Sequence, residues 1–344
     1  MSKKKRHAKT SQALKREKLA GKKLSHYVQR LFEERGREAF EIARHAILKE
    51  AERMEYRPLQ EALRYLASYW VDTTRPALLS IACEAVGGDP HATEPVAVSL
   101  ALICEAADIH DDIIDQSVRK KDHLTLYGKF GKEIAMLIGD ALLFKGFALL
   151  NQAEGEISHK KMEKIVRIIK DLFFELGEAE ALELSFRRRL DVKVEDYLSM
   201  VTKKAADVEA YLHISAILAN ASEAETEALA KYGRTLGMLI ILGDDNSDML
   251  DEKEIINRAK NESYPLPILY ALQRPGLRRK LVPTLNERMN KKSARNVLDL
   301  VYKAGVFNDV GVYMKSLISE GNESLKTIRN KELLGQILES AYPE

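Results

Sequence analysis

Two short stretches carry most of the chemical promise of this chain. "IHDDIIDQS", residues 109–117, holds Asp111, Asp112 and Asp115, and "GDDNSDMLD", residues 243–251, holds Asp244, Asp245, Asp248 and Asp251. Each follows an apolar run of helical character, "VAVSLALICEAAD" and "LGMLIIL". On a helix Asp111 and Asp115 share a face, and Asp244, Asp248 and Asp251 share a stripe at i, i+4 and i+7. Like charges at that spacing cost a few tenths of a kcal/mol per pair, and desolvation beside a core adds to the cost. A cation reverses the sign. Carboxylates without imidazole or thiolate suit a hard ion, Mg²⁺ first. Mg²⁺ is held by one or two carboxylates plus substrate phosphates, so two facing clusters would be half of a diphosphate site. The other half would be cations: Arg75, Lys120, Lys121, Lys203, Lys204 and Lys253 are candidates. One acidic cluster alone reads as a solvated helix face. Two with the same spacing, each ending an apolar helix, do not.

The elements that must position these acids read as helices. The chain has 344 residues, 45% apolar and 31% charged, a balance that supports a large core and excludes a disordered or fibrous protein. None of the nine prolines falls between Pro95 and Pro265. Within that span "KMEKIVRIIKDLFFELG", residues 161–177, sets Met162, Ile165, Val166, Ile169, Leu172, Phe173 and Leu176 on one stripe. Strand-like alternation bounded by hairpin turns is absent, which predicts an all-α bundle of long helices around a central cavity. Loops are expected at 86–95, 120–131 and 257–267. No repeat or composition shift divides the chain after residue 25, so residues 26–344 are expected to form one domain. Residues 1–25 are expected to be a mobile or weakly helical basic arm; residues 1–23 hold ten Lys or Arg and one acid. That arm reads as a solubilising tail or a transient membrane-surface contact, and without interleaved aromatics it gives no expectation of nucleic acid. Cys83 and Cys104 offer no disulfide framework or zinc spacing, which points to a reducing cytoplasm. No apolar stretch approaches the ~20 residues that span a bilayer.

At these residues the sequence resembles the trans-isoprenyl (polyprenyl) diphosphate synthases, over about residues 40–330. "DDIID" at 111–115 resembles the first aspartate-rich motif of that family and "DDNSD" at 244–248 the second. "GKFGKEIAMLIGDALLFKGFALL", with Gly139-Asp140, resembles the segment after the first motif. "VEDYLSMVTKKAADVEAYLHISAILA" resembles the segment with the Lys-Thr pair, Lys204 matching the lysine and Ala205 replacing the threonine. "LPILYAL" at 266–272 resembles the run after the second motif. The resemblance implies an isoprenoid-synthase bundle, a homodimer, and three Mg²⁺ bridging the clusters to the diphosphate of an allylic prenyl substrate. Metal ligands would be Asp111, Asp112, Asp115, Asp244 and Asp248, with Asp245 and Lys204 also catalytic. The allylic cation would be attacked by isopentenyl diphosphate, whose diphosphate would meet Arg75, Lys120, Lys121 and Lys204. The length gate, four and five residues before the first aspartate, falls on Ala107 and Ala106. Small side chains there leave the apolar tunnel open and imply a product of about twenty carbons or longer, unless Ile103 closes it deeper down.

The departures from the family pattern fall on the acceptor side. "WVDTTR" stands where Gly-Gly-Lys-x-x-Arg is usual: Arg75 matches the arginine, but Asp72 replaces the lysine and would repel a diphosphate. Cys104 stands where His or Gln is common. Lys120-Lys121 replace an arginine pair, keeping charge and losing the bidentate fork. Ile240-Ile241 replace Phe-Gln, and the Gly-Lys-x-Thr after the second motif is missing. Three readings follow: a working elongase with substituted acceptor contacts, a class I terpene-synthase-like enzyme that ionises without condensing, or a weakly active regulatory subunit. Asp108 reads as a further metal-shell acid or a helix-end residue. His110 reads as packing, His123 as a loop residue near the acceptor, Tyr69 and Trp70 as core. "FRRRLD", Arg187 to Arg189, reads as a solvated face, with a role in diphosphate capture as the alternative, and Glu178 and Glu180 lie near where the family places a polar group facing the cation.

Overall fold

The computed structural model describes residues 3–120 and 122–342, with side chains from residue 21 onward except Glu154. Lys121 lies outside the described residues. The helical reading holds along the chain. A long α1 (Lys3–Arg53) runs through the basic arm without a break, and α2 (Arg57–Tyr69) starts with proline at its first turn, where a missing N–H costs nothing. α3 (Thr74–Ala85) leads through one 3₁₀ turn to α4 (Glu94–Ile114), which ends in the first acidic cluster. A two-residue hairpin, β1 (Arg119–Lys120) and β2 (His123–Leu124), interrupts the expected 120–131 loop, and short α5 (Leu126–Phe130) follows. α6 (Lys132–Gln152) and α7 (His159–Phe186) are long, and α8 (Val194–Lys204) and α9 (Ala206–Leu218) are separated only by Ala205. α10 (Glu223–Asp248) opens with a reciprocal Ser222–Glu225 cap and ends in the second cluster. The C-terminal third is α11 (Glu252–Asn261), α12 (Leu266–Gln273), α13 (Pro275–Asn286), α14 (Lys291–Lys303), α15 (Val306–Ser324) and α16 (Glu332–Ser340).

Two sequence expectations are corrected. Residues 257–261 are helical, not loop, because α11 extends to Asn261. Asp251 leaves the Asp244–Asp248 stripe: α10 stops at Asp248, and Asp251 caps α11, its carboxylate accepting from Lys253 N at 2.8 Å. The predicted α7 stripe is buried at Met162, Ile165, Ile169 and Leu172, whereas Val166 faces solvent.

One apolar core runs from Val28 to Leu338, so α1 to α16 share it. α4 packs on α6, α9 on α10, and α3 joins α1 to α9. The α4–α6 contact is close because it is lined with glycine. A Cβ at Gly146 would lie 2.9 Å from the Ser99 carbonyl, and one at Gly139 would lie 2.7 Å from His110 Nε2. Ile103, fully buried, packs against α6 at Gly146, and Ala106 is fully buried one turn nearer the acids. Trp70 is core, edge-on to Phe40 at 5.0 Å. Among the described residues no helix is long and apolar enough to cross a membrane.

Candidate active site

Both acidic clusters sit at helix C-termini. Asp111 and Asp112 occupy the last turn of α4 with Asp115 as its cap, and Asp244, Asp245 and Asp248 occupy the last turn of α10. A helix end of that polarity carries about half a negative charge from unpaired carbonyls. Six aspartates are therefore placed where the backbone already repels them, and cations must compensate.

The structure brings four cations to these aspartates and the glutamates beside them. Lys120, from β1, lies 2.8 Å from Asp112 Oδ1 and 3.9 Å from Asp111. Arg187, just past α7, donates from Nη2 to Asp115 Oδ1 and to the Ile114 carbonyl, both at 2.9 Å. Lys204, ending α8, bridges Glu180 at 2.8 Å and Glu183 at 2.5 Å. Arg258, on α11, spans Asp245 at 3.0 Å and Asp248 at 2.7 Å, with Glu262 at 3.6 Å. Asp245 differs from its neighbours. It is 1% exposed, and its Oδ2 accepts from Tyr197 Oη at 2.7 Å and from Leu266 N at 3.2 Å. It anchors Arg258 and the start of α12, while Asp244 lies exposed on the same turn.

The two clusters share one electrostatic neighbourhood. Burial lifts Glu262 to about 7; Arg258 opposes that shift, while Glu183, Asp111 and Asp248 add to it, so this carboxyl feels both clusters. Burial also raises Asp112 to about 6 against the pull of Lys120, and Asp115 to about 8 with help from Asp111, Glu262 and Glu183. Asp111 is raised by burial against Lys204 and Lys120. Glu183 goes the other way: burial would raise it, but Lys204, Ser263 and Arg258 outweigh that. Such crowded, oxygen-only donors fit a hard divalent cation, whose charge would favour their ionised forms. Glu180 Oε2 and Arg187 Nε are buried there with no partner among the described residues. Among those residues no three His, Cys, Asp or Glu side chains converge tightly enough to hold an ion by themselves.

The acceptor side has the opposite balance. The Arg75 guanidinium donates from Nε to Asp207 at 3.2 Å, from Nη1 to Asp72 at 3.2 Å and Asp108 at 3.0 Å, and from Nη2 to Asp108 at 3.3 Å. The cationic pocket that would mark a diphosphate beside Arg75 is instead a carboxylate clamp joining α3, α4 and α9. Asp72 is its partner rather than a repelling intruder, and Asp108, within α4, shares the same guanidinium. Cys104 bonds Tyr211 within the same patch. Burial raises Glu105, Asp207, Cys104 and Tyr211 above their usual ranges.

Other sequence candidates fall into place. Lys203 pairs with Glu178 at 2.9 Å, and His123 stacks on Tyr69 with ring centres 4.2 Å apart. His110 Nε2 lies 3.2 Å from Asp140. Lys253 shows only its backbone in use, toward Asp251. Sequence reasoning missed Arg187, Arg258, Tyr197, Glu183 and Glu262. Arg187 was hidden in a run of three arginines, and Arg258 follows a loop that no longer matches the family pattern.

The comparisons agree with this geometry. The sequence profile of the polyprenyl synthetase family matches residues 56–302. A geranylgeranyl diphosphate synthase of Methanosarcina mazei is 30% identical over 288 residues, 81% of this chain and 87% of the relative. A short chain isoprenyl diphosphate synthase of Methanothermobacter thermautotrophicus is 33% identical over 186 residues, 54% of this chain and 56% of the relative. The solved geranylgeranyl pyrophosphate synthetase of Pyrococcus horikoshii superimposes with a TM-score of 0.78 and 26% identity, covering 91% of this chain and 97% of that one. The family match runs through both acidic motifs, and the chain belongs to the polyprenyl synthetase family of trans-prenyltransferases.

Proposed function

We propose that this trans-prenyltransferase condenses an allylic prenyl diphosphate with isopentenyl diphosphate, giving a prenyl diphosphate of about twenty carbons or longer. One observation carries the reading: the carboxylates at the ends of α4 and α10 share one neighbourhood and are interleaved with Lys120, Lys204, Arg187 and Arg258. Asp111, Asp112, Asp115, Asp244 and Asp248 would hold Mg²⁺, three ions by the family resemblance. When bound, the ions supply Lewis-acid stabilisation of the departing diphosphate. Asp245 does not join them; its oxygens hold Arg258 in place. With Mg²⁺ held by the aspartates, Lys120, Lys204 and Arg258 would be placed to meet phosphate oxygens. The C1–O bond of the allylic ester breaks with its electron pair going to diphosphate. The acceptor double bond forms the new bond to C1, and one proton leaves with the diphosphate. The apolar walls keep water from the cation. Ala106 and Ala107 leave room above Ile103 for the growing chain.

The acceptor diphosphate is held by Lys120 and Lys121, because Arg75 is engaged elsewhere. Two exposed aromatics support a homodimer: Phe144 on α6 is 74% exposed and Phe174 on α7 is 77% exposed. The enzyme works in the cytoplasm, with the basic residues 1–25 available for transient contact with an anionic membrane surface.

The test is incubation with Mg²⁺ and labelled allylic diphosphates, with and without isopentenyl diphosphate. Longer diphosphates formed only with both substrates are expected. Hydrocarbon or alcohol formed without the acceptor means ionisation without condensation. No turnover, with an altered product when a partner synthase is added, means a regulatory subunit.

A further inference from the structure

Two consecutive arginines after α7 point to opposite sides of the site. Arg188 adopts a left-handed backbone, φ 58°, unusual for a residue with a long side chain and costing about 1–3 kcal/mol unless its surroundings hold it. The turn sends Arg187 inward to α4. There Nη2 bonds both the Ile114 carbonyl and Asp115 Oδ1 at 2.9 Å. Arg188 goes the other way, its Nε bonding the Lys260 carbonyl near the C-terminus of α11 at 3.2 Å. Arg278 holds the same turn through the Leu190 carbonyl at 2.9 Å. Each arginine thus meets a helix end where carbonyls lack partners and positive charge is favoured.

Those two helices matter. α4 carries the first acidic cluster, and α11 carries Arg258, which holds Asp245 and Asp248 of the second. The end of α4 needs support. Gln116 is itself left-handed, φ 54°, and the Ser117 N–H reaches back to the Asp112 carbonyl at 2.9 Å. The Ile114 carbonyl is completed by Arg187, and the same contact orients Asp115.

We infer that the Arg187–Arg188 turn is a clasp that sets the two acidic clusters in register, with Arg187 as the positioning residue for Asp115. The inference rests on the reading of those clusters as a magnesium–diphosphate site. Its coupling to Asp115 separates it from simple charge balance. Loss of a positive charge weakens an anion whether or not Asp115 is present, whereas loss of a positioning residue matters only while Asp115 is there to be positioned.

The experiment is calorimetric titration of the full-length protein with inorganic pyrophosphate across a Mg²⁺ series, alongside thermal unfolding. For Arg187→Ala the Mg²⁺ concentration needed for half-maximal pyrophosphate binding is expected to rise about tenfold. Arg187→Lys, keeping charge and losing the fork, should fall between parent and Arg187→Ala. Arg188→Ala should move the same way by about two- to threefold. The Asp115→Ala/Arg187→Ala double variant should bind no worse than Asp115→Ala alone, because Arg187 acts through that carboxylate. Unchanged or tighter binding by Arg187→Ala overturns the clasp, as does strict additivity in the double variant. Should Arg187→Ala unfold, Arg188→Ala and Arg187→Lys decide by the same readout. A parent that binds no pyrophosphate with Mg²⁺ sinks the underlying reading of the site, a result distinguishable from failure of the clasp alone.

Discussion

The donor and acceptor sides lie next to one another and share α4, yet their charges are arranged differently. On the donor side four cations are spread among the acids, each on a different element and each paired with its own carboxylates. On the acceptor side Arg75 alone answers Asp72, Asp108 and Asp207. A cation shared among such carboxylates is a fastener. The two sides teach that a matched residue type is not a matched role: Arg75 aligns with a phosphate-binding arginine, but its donors are committed to α4, α9 and the segment before α3.

The largest effect that can break this comparison lies on the donor side. Asp111→Ala or Asp244→Ala should lower kcat for condensation by at least about 10²-fold, and chelation of divalent ions should abolish turnover. Rate assays with labelled allylic diphosphate would show it; parent-like rates would remove the donor site.

Arg75→Ala comes next and separates the two roles of an arginine. As a fastener, its loss should destabilise the fold by about 3 kcal/mol, the low end for a buried pair because a quarter of the side chain meets water. Denaturant unfolding would measure it. A phosphate ligand would instead raise the KM for isopentenyl diphosphate with stability intact.

Asp72→Lys should sharpen the contrast more gently. Restoring a cation beside the acceptor should lower the KM for isopentenyl diphosphate by about threefold while weakening the Arg75 clamp. Steady-state kinetics would register it. The smallest effect on rate is expected from Ala106→Phe: turnover should continue, with product shifted to shorter chains on chromatography, because Ala106 is wholly buried and an added ring would narrow the proposed path of the growing chain.

Much of the fold was legible in the chain because helical periodicity is local. The proline-free span, the stripe at Met162 to Leu176 and the apolar runs before both clusters needed no tertiary contact to be read. Element ends were less legible. Asp251 continues the spacing of a helix that has already stopped, since i+7 says nothing about where a cap falls. The paired aspartate clusters were also legible, because two like-charged helix ends are too costly to arise as plain surface. The distribution of cations among them was not. Lys120, Arg187, Lys204 and Arg258 are far apart in sequence and reach the acids only by folding.

By itself the sequence determined an all-helical bundle with two carboxylate clusters suited to a hard cation, since periodicity and charge spacing are properties of the local chain. Only the tertiary structure decided that Arg75 is engaged, that Asp245 faces inward to Tyr197 and Leu266, and that Arg187 and Arg188 tie together the helices bearing the two clusters. The physical reason is that an ion pair depends on distance in space, and residues 108 and 207 become neighbours of Arg75 only when α4 and α9 pack on α3.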